Sequence, residues 1–322
     1  PPRSTLFPYT TLFRSNLFGL EPVEYPTTRQ MNSSPEDRAT DILAAFSDKS
    51  IKAIIASIGG NDQIKVIKHL DAAIISENPK GFFGFSDNTH LHIFLSNLGI
   101  PSYYGGGLMT QFAMQVEMQP LTIDSLRRAL FEGGEMRLTG SKQYNDIGID
   151  WADKTSLGRH RLYEDNDGLK WDGVDEAEGL LWGGCVESMV LQVAVGKHMP
   201  SVHDMKGKIL FLETAEDIPP HWVIKYLLTG LGERGWFNDC LSGIMIGRAK
   251  AWDFSQQNDT EWKKIYREEQ RAAVVDAIRA YNSDISIVQN VDFGHTDPQV
   301  VIPIGRIAKL LPVTNEIILD YS

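Results

Sequence analysis

Cysteine is scarce in this chain. Only Cys185 and Cys240 occur among 322 residues. Two are too few for a disulfide framework, which points to a reducing compartment. Positive charge is also short: 31 Lys and Arg stand against 42 Asp and Glu, for a net charge of −11. A nucleic-acid polymer or an anionic membrane surface wants clustered cations, so neither is an expected partner. No run of about 18 apolar residues exists, and no membrane span is expected. The start as written has no charged-then-apolar leader. Zinc spacing is missing: His90, His92 and His203 with nearby acids match no His-Glu-x-x-His pattern. Gly59-Gly60 after an apolar run lacks both G-x-G-x-x-G spacing and a following Lys-Ser/Thr, so support for a nucleotide fold is weak. No internal repeat stands out beyond Thr-Leu-Phe at 5–7 and again at 11–13. That opening segment, residues 1–15, resembles translated sequencing-adaptor sequence and is set aside as non-native.

What is present is a 42% hydrophobic chain, enough for a large core and long enough for two domains. Ser33 or Ser34 caps a helix with Pro35 at its first position, and Ala39, Ile42, Leu43 and Phe46 form its core face. Ile51 to Ile58 reads as a buried strand ending in Gly59-Gly60. Strands at 81–85 and 100–104 and helices at 63–70, 87–98 and 123–131 continue the alternation. Such alternation predicts an α/β fold with a mostly parallel sheet flanked by helices. Residues 135–180 are rich in Gly, Asp and Asn, with Trp151 and Trp171 embedded, and read as a long connecting or substrate loop. The expected division is 16–134, this loop, and a second α/β domain over 181–322.

The stretch on which a function turns is Gly81-Phe82-Phe83-Gly84-Phe85-Ser86-Asp87-Asn88. A serine where a buried strand meets a helix is the nucleophile-elbow arrangement, with amide donors and a positive dipole end beside it. Taken locally, Ser86 fits a helix N-cap as well. Glu213 follows the apolar run Ile209-Leu210-Phe211-Leu212, and His295 follows another strand in a Gly-His-Thr turn. Singly, each fits a strand terminus or a structural histidine. Together, Ser, His and an acid at strand ends are what acyl transfer needs. Trp171 is either a core anchor for its loop or a platform for stacking a ring.

Seven motifs in order extend the case. They are Ser34-Pro35-Glu36-Asp37-Arg38-Ala39, Ile58-Gly59-Gly60-Asn61-Asp62, Gly84-Phe85-Ser86-Asp87, Tyr104-Gly105-Gly106, Leu181-Trp182-Gly183-Gly184-Cys185, Leu210-Phe211-Leu212-Glu213 and Gly294-His295-Thr296. With them the chain resembles the LD-carboxypeptidase family of serine peptidases, and within it the microcin C self-immunity branch. The resemblance implies a flavodoxin-like N-terminal domain carrying the serine. It also implies a C-terminal domain built around a small β-barrel-like sheet. It implies a Ser86-Glu213-His295 triad, an oxyanion hole from the amides of Gly60 and Asp87, no cofactor or metal, and a cytoplasmic homodimer. The implied substrate is a small peptide or a peptidyl- or aminoacyl-nucleotide, with Trp171 stacking on the base and Cys185 near the substrate. A murein tetrapeptide is the alternative within the family, and a non-catalytic binding protein of the same fold is the alternative outside catalysis. The family's opening strand is absent, Cys185 stands where many members carry asparagine, and Glu187 is a rival for the acid role.

Overall fold

The computed structural model describes residues 17–150, 153–238 and 240–322. The segment at 1–15 and Trp151 lie outside the described residues. Helix α1 (Pro35–Ser47) begins as its sequence dictates: the Ser34 hydroxyl accepts the Asp37 N–H at 3.0 Å, and Pro35 needs no donor at the first position. Ala39, Ala45 and Phe46 are buried, with Ile42 and Leu43 packed beside them. Strand β1 is only Ala53–Ile55 and half-buried, shorter than the apolar run around it. It stands at the edge of its sheet, so a ladder forms on one side alone. Its partner β2 (Gly81–Gly84) leads through a single 3-10 turn, Ser86–Asn88, into helix α2 (Thr89–Asn97). Strand β3 (Ser102–Tyr104) and helix α3 (Pro120–Arg127) follow.

The stretch expected as a loop carries four short strands: β4 (Glu135–Leu138), β5 (Gln143–Tyr144), β6 (Glu164–Asp165) and β7 (Lys170–Asp172). Then come β8 (Ala177–Cys185), helix α4 (Val186–Val195), β9 (Ile209–Glu213), helix α5 (His221–Glu233), β10 (Gly243–Gly247), helix α6 (Thr260–Arg279) and β11 (Ser286–Val291). Strands β12 (Ile302–Ile304), β13 (Ile307–Leu311) and β14 (Glu316–Asp320) finish the chain.

The first sheet has the order β1-β2-β3-β12. Its first three strands are parallel, and β12 returns from the far end of the chain to pair antiparallel with β3. The second has the order β4-β14-β13-β8-β9-β10-β11-β7, with β8 to β11 parallel at its centre. It curls around one core in which Met136 of β4, Ile317 of β14, Phe211 of β9 and Val288 of β11 meet. Parallel pairing aligns the carboxyl ends of the central strands, and Cys185 sits in register with Glu213. In such sheets ligands bind at that end.

The 135–180 stretch is tied down by charge. Asp146 is buried; its Oδ1 accepts from Lys263 Nζ at 2.9 Å and its Oδ2 from Arg267 at 2.5 Å and the Ala251 N–H at 3.2 Å. Lys263, also buried, pairs with Glu164 as well. The Tyr144 ring lies 4.5 Å from Arg267 of α6 and 5.0 Å from Arg248 just after β10, cation–π contacts that tie the loop to both. Removing one partner strands the others without compensation. Asp146→Ala should therefore lower unfolding free energy by about 3–5 kcal/mol, read from urea denaturation.

Candidate active site

Ser86 closes the β2 strand in a backbone conformation that side chains avoid, with φ of +62° after an extended Phe85. A non-glycine residue held there is a strained elbow, and such strain collects at functional sites. Its amide N–H donates to the Tyr104 hydroxyl at 3.0 Å. The Gly59-Gly60 turn passes directly over it. A Cβ built on Gly59 would stand 3.0 Å from Ser86 Cβ and 3.2 Å from its Oγ, so only glycine lets the turn approach so closely. The Asp87 carboxylate clamps the same turn, since its Oδ2 accepts the amide N–H groups of Asp62 at 2.9 Å and Gln63 at 2.8 Å. Among the described residues, the amide N–H groups of Gly60 and Asp87 find no acceptor within the fold. Two unused donors beside a strained hydroxyl can receive a developing oxyanion.

Glu213 ends a strand with five buried residues and is itself wholly buried. Gly294 brings the next residue to it. Its φ is +93°, and a Cβ there would lie 2.5 Å from Glu213 Oε2. His295 Nδ1 then meets Glu213 Oε2 at 2.7 Å. A carboxylate can only accept, so Nδ1 carries the proton and Nε2 keeps its lone pair. The imidazole packs edge-on against Phe85, the residue before Ser86, with ring centroids 4.9 Å apart. Burial would lower the His295 pKa, but the charge and hydrogen bond of Glu213 outweigh it, and the ring holds a proton more tightly than a free histidine.

The rival acid is turned elsewhere. Glu187 Oε2 accepts from the Cys185 thiol and from the Ala215 N–H, both at 3.0 Å. Cys185 does reach the cluster, but it is buried, and burial followed by the charges of Glu213 and Glu187 pushes its thiol pKa well up. It is a protonated thiol facing Glu187. The fold does not bring Trp171 to the cluster. Trp171 pairs with Val288 on the outermost strand β7, and its indole N–H donates to Asn315 Oδ1 at 2.8 Å. Asn315 lies on the turn after β13, whose Leu310 registers with Ala177 at the start of β8, the end remote from Cys185. The ring is an anchor for its segment, packed beside the second sheet's core.

Tyr104 is the participant that sequence patterning assigns no role. It looks like core, the last residue of a short apolar strand before Gly105-Gly106-Gly107. The available signal is a hydroxyl at a strand's carboxyl end. Arg248 is a second. Buried, it reaches Thr296 beside His295 at 3.3 Å and Asp292 at 2.5 Å, while Asp292 also accepts the Ser141 N–H of the 135–180 stretch at 2.6 Å. Among the described residues no group of three or more His, Cys, Asp or Glu could hold a metal ion.

Gly59→Ala tests the close approach. The added methyl has to displace Ser86 or the turn by some tenths of an ångström, and turnover should fall about 10²-fold while the unfolding midpoint moves little. A variant as active as the parent would mean that the turn and the serine are not coupled.

The model of the LD-carboxypeptidase N-terminal domain matches residues 9–105, beginning inside the segment set aside above, and that of the C-terminal domain matches residues 178–310. A putative carboxypeptidase of Treponema pallidum is 29% identical over 285 residues, covering 87% of this chain and 75% of that protein. The microcin C7 self-immunity protein MccF of Escherichia coli is 24% identical over 273 residues, covering 84% and 74%. The crystal structure of an MccF-like protein from Streptococcus pneumoniae in complex with AMP superposes with a TM-score of 0.84 at 27% identity, over 98% of this chain and 92% of that one. A site of this geometry, within a chain matched by both domain models, belongs to a peptidase of the LD-carboxypeptidase family.

Proposed function

We propose that this peptidase hydrolyses amide bonds with Ser86 as nucleophile, His295 as general base and then general acid, and Glu213 as the group that orients the imidazole. The observation that carries the reading is the buried Glu213–His295 pair lying against Phe85, next to a strained Ser86. In the first half-reaction Ser86 Oγ attacks the substrate carbonyl and His295 Nε2 takes its proton. The carbonyl oxygen becomes an oxyanion facing the amides of Gly60 and Asp87. As the C–N bond breaks, His295 returns the proton to the leaving amine. Water then releases the acyl group by the same steps, with His295 again base and then acid. The serine comes from 16–134, the acid and base from 181–322, and the stretch between them borders the site through Asp292.

The substrate we infer is a peptidyl- or aminoacyl-nucleotide conjugate. The support is likeness to an MccF-like protein crystallised with AMP and to MccF itself. A murein tetrapeptide is the second reading, favoured by a probable murein peptide carboxypeptidase of Bacillus subtilis that is 23% identical over 276 residues. Trp222 and Tyr226 on α5 and Trp262 and Ile265 on α6 are apolar yet exposed, which supports a homodimer. Two free cysteines support a cytoplasmic setting.

Ser86→Ala should leave the protein folded and cut kcat at least about 10⁴-fold. Full activity in that variant would rule Ser86 out as nucleophile, whereas no labelling of Ser86 by a fluorophosphonate would favour a binding protein. Turnover of an aminoacyl-nucleotide amide against a murein tetrapeptide separates the two substrates. Only neutral His295 can act as base, and Glu213 raises its pKa from the ordinary 6.5. Activity should therefore fall with decreasing pH through a midpoint above that value. Glu213→Gln should move the midpoint of the residual activity down.

A further inference from the structure

Tyr104 joins the two halves of the site through a single oxygen. Its hydroxyl accepts the Ser86 amide N–H at 3.0 Å and donates to Glu213 Oε1 at 2.5 Å. Neither direction can be reversed, because an amide only donates and a carboxylate only accepts. Glu213 keeps Oε2 for His295 at 2.7 Å. The ring has no freedom to shift: it is fully buried against Phe85, His92 and Phe211 at centroid separations of 6.4, 5.6 and 5.4 Å. Burial and then the Glu213 charge push its pKa well above the usual tyrosine value, so the proton stays on the oxygen.

We propose that Tyr104 is a positioning residue that sets Ser86 and the Glu213–His295 pair at their working separation. The proposal rests on the serine-hydrolase reading above. One hydrogen bond holds the elbow's amide. The other fixes the carboxylate rotamer and draws charge from it. Through Glu213 the phenol also sets how tightly His295 holds its proton. The other groups facing the pair are Cys185 and Glu187 on Glu213, and Glu216 and Lys250 on His295. All are unchanged by the substitutions that follow.

Tyr104→Phe keeps the ring and removes the oxygen. It should lower kcat about 10²-fold with little change in KM. It should also raise the acid-limb midpoint, because an undrained carboxylate holds the imidazolium more firmly. Site-specific 3-fluorotyrosine at 104 keeps both hydrogen bonds with a more acidic phenol, and should move that midpoint down. Opposite shifts are the expected result. Loss of thermal stability in Tyr104→Phe with parental kcat and pH profile would overturn the proposal. If that variant does not fold, an unmoved midpoint in the fluorotyrosine protein overturns it alone. An inactive Ser86→Ala beside such a result leaves the nucleophile assignment standing, whereas a fully active Ser86→Ala removes that assignment instead.

Discussion

A carboxylate with no exposed surface needs donors on its oxygens, and Glu213 takes one from each side of the molecule. Tyr104 reaches it from the sheet that carries Ser86, and His295 from the loop after β11. Leaving either oxygen unpaired in that interior would cost a large part of a domain's stability. The requirement of a buried acid for partners is thus also what draws three distant chain segments to one point. The chemistry of the site and the assembly of the fold draw on the same few hydrogen bonds.

Around that carboxylate the backbone approaches more closely than side chains permit. Gly59 lies over Ser86 and Gly294 lies against Glu213; a Cβ at Gly294 would collide with the carboxylate, and one at Gly59 would press on Ser86 at 3.0 Å. Ser86 itself holds a left-handed backbone. The neighbouring constraints supply its support: the Tyr104 hydroxyl on its amide, and the Asp87 carboxylate on the turn above. Strain of this kind persists only where the surroundings over-determine it.

A second polar network supports the histidine from behind. Arg248 spans Thr296 and Asp292, Asp292 holds Ser141, and Asp146 ties the same stretch to Lys263 and Arg267 of α6. The segment that reads as a loop is therefore fastened to the loop bearing His295. Its short strands escape pattern reading because two to four residues are too few to display a period convincingly. Their order comes from buried ion pairs with residues a hundred positions away. Trp171 misleads for the same reason. An aromatic residue in a polar stretch signals packing or binding alike, and in the fold Trp171 is half-buried beside the second sheet's core, with Val288 as its register partner.

From residues alone came the alternating α/β architecture, a cap at Ser33 or Ser34, the elbow at Ser86, the strand end at Glu213 and the turn after a strand that bears His295. Each of these is a local pattern: periodicity, a capping side chain, a break in an apolar run. Tertiary structure alone decided that the Glu213 carboxylate meets the imidazole, that Cys185 faces Glu187, and that Tyr104 spans Ser86 and Glu213. Those outcomes depend on strand register and on which buried oxygens lack a donor. Such relations arise between segments far apart in the chain, and no local pattern in the sequence encodes them.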